Sequence, residues 1–254
     1  MSISPALLQT VIINSSSSFL PTDISGLVLW LDANDISTLF QDDGLATPVT
    51  ADADTVGGWT DKSGAGNDII QATSANRPTY KTGIQNGLPV VRLDGTNDSL
   101  DGLFAAATTQ PLTIFAVAAM VAGDVNDGGD HFLFDGENAT NRIIFGQNSI
   151  TTPDDFTVYA GSWLATGEAS SSNWLVWTGL INAASSEMWH NGVSIGAGDP
   201  GAKILDGITV GSSHAQNASF WEGDIAELLI YDAALSATDR QTVETYINNK
   251  WAVY

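Results

Sequence analysis

The chain has 254 residues, 43% of them hydrophobic, with 25 glycines, eight tryptophans and no cysteine. Eight Lys and Arg against 29 Asp and Glu leave a net charge of −21, which repels a nucleic-acid backbone and an anionic membrane face alike. With no thiol for a disulfide or a metal, and no apolar run near the roughly 20 residues of a membrane-spanning helix, the fold must rest on packing, and neither nucleic acid nor membrane insertion is expected.

Residues 1–24 read as an N-terminal arm and 25–254 as one domain, since a chain of this length can bury a sizeable core in a single all-β unit. The arm holds apolar clusters at Ala6 to Leu8 and Val11 to Ile13, then a Ser15 to Ser18 run before Pro21. Docking onto a neighbouring chain is expected for it, ahead of folding back. The N-terminus lacks the basic start and small-residue cleavage site of a secretory leader.

Leu27 to Leu31 forms the first strand, and Asp32 to Phe40 a polar turn. Residues 41–67 make a long loop whose one aromatic residue is Trp59. Leu88 to Leu93 is a strand, and the apolar run Leu112 to Val121 is a central one. Further strands are predicted at His131 to Phe134, Arg142 to Phe145, Phe156 to Ala160, Trp174 to Ile181 and Ser186 to His190. Asn191-Gly192 is the best hairpin signal, because both central residues of a type I′ turn need positive φ. Ile208 to Gly211 follows, then a strand from Asp224 to Tyr231 that is apolar on both faces except at Glu227. The period then changes: Ser236, three residues before Asp239, starts a helix. Val243, Tyr246, Ile247 and Trp251 form its apolar stripe, with Arg240, Glu244, Asn248 and Lys250 on the polar side. Many short strands and one helix indicate a sandwich.

The segment Gly223 to Arg240 (GDIAELLIYDAALSATDR) resembles the closing strand and following turn of laminin G-like, concanavalin A-like jelly-roll domains. Gly26 to Asp32 (GLVLWLD), Trp59 to Asn67 (WTDKSGAGN), Arg77-Pro78 and Pro89 to Gly95 (PVVRLDG) are similar to the opening strands of bacterial and phage members. The resemblance covers roughly residues 24–251 and implies an all-β, concanavalin A-like jelly-roll β-sandwich of two antiparallel sheets with one C-terminal helix. It does not fix function, because that scaffold hosts lectins, adhesion modules, virion proteins and glycosidases.

Glu222-Gly-Asp224-Ile-Ala-Glu227 matches the E-x-D-x-x-E pattern of laminarinase-type glucanases, in which two glutamates act as nucleophile and acid/base about 5 to 5.5 Å apart. Strict alternation puts Glu222 and Asp224 on one face and Glu227 on the other, so that chemistry requires a bulge. The rival reading is an ordinary closing strand, and it is the one favoured. No other catalytic arrangement is present: His131, His190 and His214 are isolated in sequence, and Gly196 to Lys203 is a turn rather than a phosphate loop.

Asp124, Asn126, Asp127 and Asp130, with Asp135 beyond, offer hard oxygen ligands of the kind calcium takes. The pattern breaks at Gly128, and relatives implied by the resemblance often carry calcium at a sheet rim. Asp42-Asp43-Gly44 and Asp52-Ala-Asp54 are comparable loops. Trp59, Trp163 and Trp221 are the candidates for stacking on a sugar face, although core packing is expected for each. Trp174 and Trp177, three apart, must face opposite sides.

The sequence therefore favours a non-enzymatic, lectin-like structural module with no required cofactor. The favoured setting is a phage virion surface (capsid decoration, head fibre or tail-associated), with the major capsid protein, a second copy of itself or a cell-surface glycan as partner. A bacterial glycan-binding adhesion module is the first alternative and a glucanase using Glu222 and Glu227 the second.

Overall fold

The computed structural model describes residues 19–150 and 154–254. Two antiparallel sheets and one C-terminal helix form a β-sandwich, as the sequence leads one to expect, and the arrangement is compatible with a jelly roll. The first sheet has eight strands in the order Val193–Gly198, Ser186–His190, Leu175–Ile181, Leu112–Met120, Glu222–Tyr231, Leu88–Asp94, Thr79–Gln85, with Leu27–Asp32 also paired to Glu222–Tyr231. The second has nine, running from Trp163–Leu164 through Asp155–Tyr159, Ile144–Asn148, His131–Gly136, Leu205–Val210 and Leu100–Thr108 to three two-residue strands ending at Leu39–Phe40.

Glu222–Tyr231 is the spine of the first sheet. Leu112–Met120 lies along one of its edges from Gly223 to Tyr231. The other edge is shared: Glu222 to Ile225 pairs with Leu88–Asp94, and Glu227 to Tyr231 pairs with Leu27–Asp32. Covered on one face by the second sheet and on the other by the C-terminal helix, this strand needs apolar side chains on both faces, which explains its near-continuous apolar run. Leu29, Leu31, Ile225, Leu228 and Ile230 point between the sheets, against Phe134, Phe145 and Phe156 of the second sheet and Trp177 and Trp221. Each such fully buried side chain contributes on the order of 2 kcal/mol.

The opposite face of the first sheet carries Trp30, Phe115, Val117, Val176, Ala226, Leu229 and Tyr231, and the helix Ala237–Trp251 covers it with Val243, Ile247 and Trp251. Ser236 caps that helix, its hydroxyl accepting from the Asp239 amide at 3.1 Å. Three residues expected on the polar side are instead turned inward, Arg240 lying over the Trp189 ring. Glu244 is buried, accepting from Thr178 at 2.9 Å and Arg240 at 2.6 Å, and Lys250 reaches under the helix to acids of the sheet.

The arm expected over residues 1–24 lies outside the described residues as far as residue 18. Its last residues fold onto this domain: Phe19 meets Tyr246 edge-on at 5.9 Å, and the Tyr231 hydroxyl donates to the Pro21 carbonyl at 3.0 Å.

Candidate functional site

The bulge required by the Glu222-Gly-Asp224-Ile-Ala-Glu227 pattern is present. The pairing of Glu222–Tyr231 with Leu112–Met120 slips between Ile225 and Glu227, and the extra residue turns Ala226 and Glu227 to the same face, the one under the helix. The bulge thus brings Glu227 to the side already occupied by Asp224, and the helix then closes over it.

Glu227 is fully buried and fully ligated. One carboxylate oxygen accepts from Trp30 Nε1 at 2.7 Å and the Tyr246 hydroxyl at 3.2 Å; the other accepts from Trp251 Nε1 at 2.6 Å and Lys250 Nζ at 3.0 Å. Lys250 also bonds Asp32 at 2.6 Å, and Asp32 holds Lys62 at 2.7 Å. Burial pushes the Glu227 carboxyl upward, Lys250 draws it back down, and the nearby Asp32 charge adds to the rise. A carboxylate held by four donors and sealed by a helix pins the helix to the sheet.

Glu222 and Asp224 stand in a different place, on the margin of a cavity of about 380 Å³. Its walls include Arg92, Trp174, Ser172 and Val121. Asp224 sits opposite Arg92 in register, and the guanidinium clamps it with both of its forks at 2.6 and 2.8 Å. Glu222 pairs across the strand with Asp94, with no cation bonded to it among the described residues. Gly223, at φ +152, admits the Ala119 carbonyl to within 2.2 Å of where a Cβ would stand, so no side chain fits there. Trp174 forms a half-buried aromatic wall just before the strand Leu175–Ile181, while Trp177 is buried on the other side, as their spacing requires. Sequence reasoning did not single out Trp174 or Arg92 as site residues. The three-residue spacing of the tryptophans was the available signal.

The loop before His131 divides its expected ligands. Asp124, Asp127 and His131 come together, one ligand atom of each lying within 4.8 Å of the others. Asp130 instead accepts from Ser149 and Asn148. Asn126 accepts from the Asp154 amide at 2.7 Å. Asp135 is fully buried and held by Arg142 at 2.6 and 3.0 Å, with the His214 amide also donating to it at 2.9 Å. The five-residue oxygen set anticipated for calcium is therefore not assembled, because the strand at His131–Gly136 carries Asp135 away.

The remaining candidates find structural uses. Trp59 and Trp221 are fully buried, so neither offers a face to a sugar, and Trp163 packs against Phe132 and Tyr159. Asp43 pairs with Arg77, Asp52 with Lys81, and Asp54 accepts from the Thr50 and Ala51 amides. Gly196 to Lys203 is the end of a strand and a turn, with the Gly201 amide donating to Asp199 at 2.8 Å. His190 is packed between Phe156 and Trp177, and burial pushes its imidazole down to about 4. A larger cavity of about 700 Å³ lies along the helix, walled by Phe19, Leu20, Tyr246 and several uncharged polar residues, with Lys250 its one charged wall residue.

Neither a protein-family model nor a curated protein sequence matches the chain. Solved structures share its fold. The binding domain of botulinum neurotoxin serotype D aligns over 87% of this chain and 51% of its own, at TM-score 0.53 and 11% identity. The ligand-binding domain of the same serotype in complex with N-acetylneuraminic acid aligns over 87% and 51%, at TM-score 0.51 and 13% identity. The Trypanosoma rangeli sialidase in complex with sialic acid aligns over 89% and 33%, at TM-score 0.53 and 12% identity. The chain spans about half of the toxin domain and a third of the sialidase, and at these identities what it shares with them is the β-sandwich itself.

Proposed function

We propose that this chain is a non-catalytic, lectin-like glycan-binding module of a particle or cell surface, of the laminin G-like kind, with its sugar site at the cavity beside Trp174. The observation that carries the reading is the cavity's composition: one aromatic wall beside a fixed Arg92–Asp224 pair and the free carboxylate of Glu222. Such a wall stacks on a pyranose face while the polar groups fix its hydroxyls. Two structural neighbours hold sialic acid, but here the guanidinium is already engaged by Asp224 and the cavity's other charge is negative. A neutral sugar suits it better than an acidic one.

Catalysis by the paired glutamates is disfavoured because Glu227 is sealed beneath the helix, whereas a retaining glycosidase must bring both carboxylates to the sugar. A glycan array followed by calorimetry on the best neutral ligand tests the reading. Binding that drops at least tenfold in Trp174→Ala, with an unchanged unfolding midpoint, supports it. Absence of binding to neutral glycans, or release of reducing sugar by the wild type that is lost in Glu222→Gln, overturns it.

A second reading, attachment to a virion through the N-terminal region, is favoured by the half-exposed Leu20 at 46% beside the cavity along the helix. Cosedimentation with particles, compared before and after deletion of residues 1–18, tests it.

A further inference from the structure

The geometry points to a divalent transition-metal site formed by His131, Asp124 and Asp127, of the zinc class and separate from the sugar cavity. Four observations converge on it. His131 Nδ1 lies 2.8 Å from the Phe220 carbonyl and 3.2 Å from one Asp124 carboxylate oxygen, and both accept, so in the neutral ring Nδ1 carries the proton and Nε2 presents its lone pair toward Asp127. Ligating histidines are fixed in this way, donating the other ring nitrogen to a carbonyl.

Nε2 then faces both oxygens of Asp127 at 3.3 Å. That is long for a charge-assisted hydrogen bond, which closes to about 2.7 to 2.9 Å. It matches the edge of a tetrahedron around one ion, where ligands at about 2.1 Å stand about 3.4 Å apart. The Asp127 carboxylate is itself oriented, accepting from the Gly129 amide at 2.8 Å.

The space beside these atoms is kept clear. A Cβ at Gly129 would lie 3.0 Å from both Nε2 and the nearer Asp127 oxygen, so any other residue would crowd the gap. Gln147, directly opposite His131 in register and fully buried, donates its amide nitrogen to the Asp124 carbonyl at 3.0 Å. Its Oε1 has no partner among the described residues. Gln147 braces the loop that carries two of the ligands, its amide nitrogen also meeting the Gly129 carbonyl at 3.2 Å.

The donor set selects the class of ion. Calcium takes six to eight oxygens and no imidazole, whereas one imidazole and two carboxylates, completed by water, suit zinc and its first-row neighbours. This site does not depend on the glycan reading and stands or falls separately.

The experiment is calorimetric titration of chelator-treated protein with zinc chloride and, separately, calcium chloride. The expected result is one saturable zinc equivalent, weakened at least tenfold in His131→Gln and in Asp127→Asn, with calcium at least tenfold weaker. Asp127 is exposed enough that its variant keeps the fold, and unfolding curves of both variants check this. Absence of saturable zinc binding, binding of equal strength in Asp127→Asn, or calcium binding as tight as zinc overturns the assignment. Equal binding in that variant would place the ion elsewhere on the acidic surface.

Discussion

The start and the middle of the strand Glu222–Tyr231 treat their acids in opposite ways. At Glu227 the carboxylate is sealed by the helix and satisfied by Trp30, Tyr246, Lys250 and Trp251. Five residues earlier, Glu222 stands at a cavity margin facing Asp94, and the nearest guanidinium is committed to Asp224. One short motif thus contains a stability element and a recognition element. The bulge at Ala226 puts both on one face, and the helix, which covers Glu227 and leaves Glu222 at the cavity, separates them.

The contrast can be broken most forcefully at the sealed middle. Glu227→Ala should cost about 3 to 5 kcal/mol in chemical denaturation, because it strands two indole N–H groups under the helix and leaves Lys250 with Asp32 alone. A loss below about 1 kcal/mol would mean that the helix does not seal the site.

At the flank of the first sheet, His190 is held neutral by burial, its pKa near 4 against about 6.5 in the unfolded chain. The unfolded state therefore takes up the proton first, and stability falls as pH drops from about 6.5 to 4. The expected loss is about 2 kcal/mol, and it should disappear in His190→Asn when unfolding is measured across that window.

At the open start, Trp174→Ala should weaken sugar binding at least tenfold, equivalent to about 1.4 kcal/mol, with little change in the unfolding midpoint.

The smallest effect is expected at Asp98, whose carboxyl is pushed up to about 6 by burial and by the Asp94 charge. Here the folded chain binds the proton first, so stability falls as pH rises from about 4 to 6, opposite in sign to His190. Asp98→Asn should gain about 1 kcal/mol at pH 7.5, after allowance for solvent screening, and nothing at pH 4. Because the two groups titrate in one window with opposing signs, the wild-type profile should be flatter than that of either single variant.

Much of the architecture was legible in the residues. Asn191 and Gly192 adopt φ 50 and 76, as the hairpin demands, and Leu112–Met120 is the buried neighbour of the spine, as its apolar run implied. Two long strands escaped notice. Thr79–Gln85 is a polar edge strand, and Leu100–Thr108 has exposed alanines that dilute its alternation. The candidate site was only half legible. Alternation located Glu222, Asp224 and Glu227 and showed that a bulge was needed, but helical periodicity could not show that Lys250 would turn inward to meet two acids. That depends on Asp32, 218 residues away in sequence. Asp124 and Asp127 were visible as ligands, whereas their pairing with His131 required the turn that folds the loop back.

The shared edge of the spine also has a consequence for biosynthesis. Leu27–Asp32 leaves the ribosome well before its partner Glu222–Tyr231, the last strand of the described chain, so it stays unmatched until that strand has been made. Completion of the first sheet is therefore a late event dominated by long-range pairing, which predicts slow folding. It also makes a nascent chain arrested near residue 220 a dangerous species, since it lacks the middle of its sheet and presents two raw borders to other molecules.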